Sequence, residues 1–117
     1  MAAASLYTTP ADCARFLAAL LGDAALFRDT LASPVTVDAE LGLDRGLDWG
    51  IERSARADSL WRWGSIPGYR AVAMANAAHG DVLVLLINSE RGPLLAAPLT
   101  AAELPGEHRA FEFRMIR

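Results

Sequence analysis

Apolar and polar positions change period once along this chain, from helical to alternating. Thr9 can cap a helix whose first residue is Pro10, with Asp12 in the first turn, where a carboxylate suits the positive helix end. Cys13, Phe16, Leu17, Leu20 and Leu21 then fall on one stripe at helical spacing, and Gly22 is a natural stop. The pattern predicts a helix over 10–21. A shorter helix over 24–32 follows, ended by Ser33-Pro34. Residues 35–46 hold three acidic residues and two glycines and read as a loop.

Beyond that point the period is two. Residues 47–53 alternate Leu47, Trp49 and Ile51 with Asp48, Gly50 and Glu52, the pattern of a half-buried strand. A polar turn over 54–58 leads to a second alternating strand over 60–64. Residues 65–68, with Pro67 and Gly68, break it. A third strand over 69–76, a short turn over 77–80 and an apolar run over 82–87 follow. Six consecutive apolar residues predict a strand buried on both faces. A third helix is expected over 93–104, with Pro98 kinking or breaking it. The tail, 108–117, alternates Phe111, Phe113 and Met115 with charges, as an edge strand or the start of a last helix would. The expected fold is α+β: an antiparallel meander of four strands, or five with the tail, with two N-terminal helices and one C-terminal helix packed on it.

Composition narrows the chemistry. At 117 residues, residues 1–117 form a single domain with one core. Apolar residues make up 53% and charged residues 21%, a globular profile. All eleven basic residues are arginine, so no Schiff-base lysine, phosphate-loop lysine or serine–lysine pair exists in this sequence. A net charge of -3 argues for no nucleic-acid partner and no anionic membrane surface. A lone cysteine, Cys13, excludes an internal disulfide and a cysteine zinc site; no metal and no cofactor are expected. No stretch reaches the ~20 apolar residues of a membrane span. The apolar start has no basic flank and is interrupted by Asp12 and Arg15, so it does not read as a signal peptide. The sequence as written is expected in the cytoplasm, or in the periplasm or outside the cell if a segment precedes it.

Few residues suggest catalysis by themselves. His79 and His108 sit in or beside turns and read as solvated. The acidic residues read as solubilising, including Asp48 and Glu52, which share the polar face of one strand. Cys13 lies on the apolar helix stripe and reads as packing. The exception is the stretch Trp61-Arg62-Trp63-Gly64-Ser65-Ile66-Pro67-Gly68-Tyr69. Alternation puts Trp61 and Trp63 on one face and Arg62 on the other. Gly64 lets a ligand or another backbone approach. The plain structural account is an aromatic core pair, a strand-ending glycine and a Pro-Gly turn.

Four segments, in order, resemble the C-terminal part of the serine beta-lactamase-like hydrolases, the group that includes penicillin-binding-protein-related carboxypeptidases and esterases. They are residues 4–12 (ASLYTTPAD), 47–52 (LDWGIE), 60–69 (LWRWGSIPGY) and 82–92 (VLVLLINSERG). The resemblance places the family's third motif, K-T-G or H-x-G, on Arg62, Trp63 and Gly64. It implies that Arg62 faces a substrate carboxylate, that Gly64 lets substrate lie along the strand, and that the Ser65 N–H is half of an oxyanion hole. Arg62 departs from the usual lysine or histidine: it keeps its charge but exchanges no proton near neutrality.

The family's S-x-x-K and Y-x-N motifs are absent. Ser5 and Ser59 have serines at suitable spacing but no usable base, and neither Tyr7 nor Tyr69 begins a Y-x-N. Three expectations follow. The first is a truncated hydrolase region that supplies one wall of an acyl-transfer site, is inactive alone, and meets a small acyl substrate only beside the missing N-terminal hydrolase part. The second is a non-catalytic binding module or homodimeric assembly module of the same descent. The third is an unrelated small enzyme using His79 or His108 with a carboxylate.

Overall fold

The computed structural model describes residues 7–47, 49–55, 58–76 and 78–113. Helix α1 spans Pro10–Gly22 and α2 spans Ala24–Leu31. The Thr9 hydroxyl accepts the Asp12 N–H at 3.1 Å, as its sequence position predicts. Asp23 both closes α1 and caps α2, its Oδ1 accepting the Leu26 N–H at 2.9 Å. One residue thus joins the two helices, its backbone N–H donating to the Ala19 and Leu20 carbonyls of α1 and its carboxylate capping α2.

Among the described residues the sheet has six strands rather than four or five. They are β1 (Val35–Asp38), β2 (Leu43–Arg45), β3 (Gly50–Glu52), β4 (Ser59–Ile66), β5 (Tyr69–Asn76) and β6 (Asp81–Ile87). All neighbours are antiparallel and their order follows the sequence, so the meander is as expected. The two extra strands come from the segment expected to be a loop. Val35, Thr36 and Val37 are β-branched, and Gly42 at φ 68 turns the chain back into β2. Among its described residues the tail adds no strand: Arg109–Glu112 form a single 3-10 turn, and Met115 lies outside the described residues.

Register separates two faces. On the first, Ile51, Leu60, Ala73, Ala75 and Val82 pack against Leu17 and Leu20 of α1 and against Phe27 and Leu31 of α2. On the second, Leu43, Trp61, Trp63, Met74 and Leu83 pack against Leu104, Ala110, Phe111 and Phe113. Helix α3 (Gly92–Glu103) lies on this second face through Gly92, Ala96 and Thr100, small residues four apart that let it approach closely. Pro98 does not break it; the proline sits on the exposed side, away from that contact row.

Three burial expectations are corrected. Strand β6 is only half-buried, and Leu86 is 42% exposed. The strand ends the sheet, and on the first face α1 covers its start rather than its end. Strand β3, expected to be half-exposed, is buried at all three residues, because both faces are roofed there. Phe16, on the predicted apolar stripe, stays 65% exposed since the stripe is wider than the strip of sheet beneath it.

A close approach fixes the β3–β4 pair. Gly50 is opposite Trp61, and a Cβ on Gly50 would overlap the indole ring. Gly50→Ala is expected to lower unfolding free energy by about 2 kcal/mol, the scale of overpacking a core, as read by urea denaturation.

Candidate functional site

Strand β4 carries all four residues singled out in the sequence. Beyond the turn its geometry is set by Pro67 and by Gly68 at φ 81, which suits the second central position of a type II turn. Ile66 and Tyr69 flank that turn as partners. In such a hairpin the flanking pair exchanges backbone hydrogen bonds, and the ladder alternates from there. Arg62 and Gly64 therefore aim their backbone groups at β5, and Trp63 and Ser65 aim theirs away from it. The other end agrees: the Gly46 N–H donates to the Trp49 carbonyl at 2.8 Å, a count that turns Gly50 and Trp61 toward each other.

Strand β3 accompanies β4 only over Ser59, Leu60 and Trp61. Past Trp61 the outer edge of β4 has no strand partner among the described residues. Ser65 and Gly64 are exposed there, as is Arg62. The Glu90 carboxylate accepts the Gly68 N–H at 3.2 Å and holds the turn at the tip.

The side chains split as alternation predicts. Trp61 and Trp63 face the second side of the sheet and Arg62 and Gly64 the first. On the first side the row Gly64, Ala71 and Leu86 is not buried under either helix. On the second side a cavity of about 390 Å³ is lined by Val37, Arg45, Gly50, Trp61, Arg62, Trp63 and Phe113. Trp61 meets Phe113 with ring centroids 6.4 Å apart and planes inclined at 59°. Of the four predicted residues, Trp63 lines this cavity and Arg62 borders it from the strand while its side chain alternates to the first side, whereas Gly64 and Ser65 lie further along the open strand. Val37, Arg45 and Phe113 went unnoticed in the sequence, because two of them lie in the segment read as a loop.

The family model for Beta-lactamase matches residues 1–105. The chain belongs to the beta-lactamase family. Comparisons with curated proteins and with solved structures return no match. Within this beta-lactamase-family chain, the segment resembling the third motif is thus a solvent-facing strand edge. Among the described residues no group of three or more His, Cys, Asp or Glu could hold a metal ion, and no helix is long and apolar enough to cross a membrane.

A second polar cluster corrects two sequence readings. Glu52 is fully buried, not a solubilising surface acid, and its Oε1 accepts the Ala110 N–H at 2.6 Å. Asp48, its expected companion, lies outside the described residues. His108 is 7% exposed, with φ 54, rather than solvated. Ser59, directly opposite Glu52, is 2% exposed. Glu52 Oε2, Ser59 Oγ and His108 Nε2 have no hydrogen-bond partner. His79 is the turn residue expected, exposed, with Nδ1 2.8 Å from Asn76 Oδ1.

Glu52 thereby ties the segment 104–113 down across the beta-lactamase-family sheet. Glu52→Ala is expected to lose about 1–3 kcal/mol of stability, the scale of a buried donor left unpaired. The same change should speed limited proteolysis within 104–113, while Glu52→Gln, which keeps an acceptor oxygen, should protect that segment better.

Proposed function

We propose that this chain supplies the third-motif wall of a serine acyl-transfer site and does not itself perform acyl transfer. The observation that carries this reading is the unpaired edge of β4 over Trp63 to Ser65, with the Ser65 N–H aimed outward by the alternation of the hairpin. An extended substrate can add along such an edge through backbone hydrogen bonds. In this reading the Ser65 N–H donates to the developing oxyanion. Arg62 holds a substrate carboxylate through its guanidinium, and Gly64 keeps the strand flat against the substrate.

In this reading the attacking group is not supplied by these 117 residues. A serine nucleophile in this family is activated by a lysine base, and this sequence contains none. Arginine stays protonated and takes no proton from serine. The substrate class supported is a beta-lactam, peptide or ester carbonyl bearing a nearby carboxylate, in the manner of beta-lactamases, carboxypeptidases and esterases. The purified chain is expected to show no turnover of a chromogenic beta-lactam and no covalent label from a fluorescent penicillin. Turnover abolished by replacing one of its own serines would sink the proposal.

A second reading, assembly, is favoured by one surface. Helix α3 exposes Leu94 (71%), Leu95 (53%) and Leu99 (38%), and β6 has no outer strand neighbour among the described residues. Contiguous apolar surface and an open edge both promote association. Sedimentation velocity across a wide concentration range is expected to show a concentration-dependent dimer, and Leu95→Glu should shift it toward monomer. A strict monomer throughout would remove this reading.

A further inference from the structure

Arg45, Gly50 and Trp61 form one row across β2, β3 and β4. Gly50 offers no side chain, so the Trp61 indole lies over it, and a hollow opens between Val37 of strand β1 and Phe113, which follows the 3-10 turn. Three aromatic rings and Val37 make its walls. Among the described lining residues the charged ones are Arg45 and Arg62. Arg45 belongs to this row, whereas the Arg62 side chain alternates to the first face, so Arg45 supplies the cation in a chain of net charge -3. The local charge is thus opposite in sign to that of the whole molecule, which selects for an anion.

We propose that this cavity binds a small aromatic carboxylate of the size of phenylacetate. The volume of about 390 Å³ lies at the lower end of small-ligand sites, enough for one ring and a short acid arm. Trp61, Trp63 and Phe113 suit a flat ring through offset and edge-to-face contacts, which an aliphatic chain exploits less well. Arg45 presents the planar fork that pairs a carboxylate through two parallel hydrogen bonds. A guanidinium already engaged with a neighbour keeps donors to share, since it has five. The site stands on this cavity alone and needs neither a nucleophile nor the open β4 edge. Its failure is therefore distinguishable from failure of the acyl-transfer reading, which is tested by turnover and labelling.

Titration of the ¹⁵N-labelled chain with phenylacetate, followed by indole N–H resonances, tests it. Trp49 packs with Leu17, Leu20 and Leu60 in the other cluster and serves as the internal reference. Saturable shifts of the Trp61 and Trp63 indoles with Trp49 unmoved are expected. Neutral phenylacetamide should bind about tenfold more weakly or worse, as should phenylacetate to Arg45→Gln. The proposal is overturned by no saturable shift at millimolar phenylacetate or by equal movement of all three indoles. It is equally overturned if the amide binds as well as the acid. The acid–amide comparison uses the unaltered chain, so it decides the matter even if Arg45→Gln does not fold.

Discussion

The indole of Trp61 lying across Gly50 is the contact on which the second face of the sheet depends. It lets β3 and β4 approach, gives Phe113 a ring to pack on, and fills the row between Arg45 and Met74. A side chain at Gly50 would lift the indole and with it the segment that roofs this face. The same contact marks a boundary. Below it, β3, β4 and β5 are paired and buried; above it, β4 runs on without β3, and both the open edge and the cavity begin. Rigid support and an accessible strand thus meet at one residue.

The roof over the lower half is held in an unusual way. Buried carboxylates are expensive unless paired. Glu52 nevertheless spends one oxygen on a backbone N–H of the 3-10 turn and leaves the other without a partner beside Ser59 and His108. His108 adopts a left-handed conformation that a non-glycine residue takes only when its surroundings impose it. Polar groups rather than apolar area therefore set where residues 104–113 cross the sheet. Leu104 and Ala110 supply the apolar contacts once that crossing is fixed.

Legibility in the sequence followed the strength of local signals. Helix α1 was readable because cap, proline and stripe all agree over thirteen residues. Strand β5 was readable because its turn residues bound it on both sides. Strands β1 and β2 were hidden, since four and three residues are too few for a period to stand out against acidic and glycine neighbours. The buried state of Glu52 and His108 could not be seen either. Their burial is created by a contact between residues 52 and 110, and no local pattern encodes a partner that distant. For the site, the tryptophan–arginine alternation was legible, but not the Arg45 and Val37 wall, which comes from the hidden strands.

The absence of lysine bears differently on the two surfaces of β4. Along the open edge it removes the residue that acts as the serine's base in this family, and on the proposed reading the edge holds and polarises a substrate without attacking it. In the cavity the same substitution of type is an asset. A guanidinium keeps its charge at any physiological pH and offers flat, directional donors, whereas an ammonium is a strongly hydrated point charge. A chain whose cations are all arginine therefore lacks a lysine base and keeps anion recognition. On both proposed readings an arginine of the sheet binds the anion, and acid–base chemistry is left to other residues.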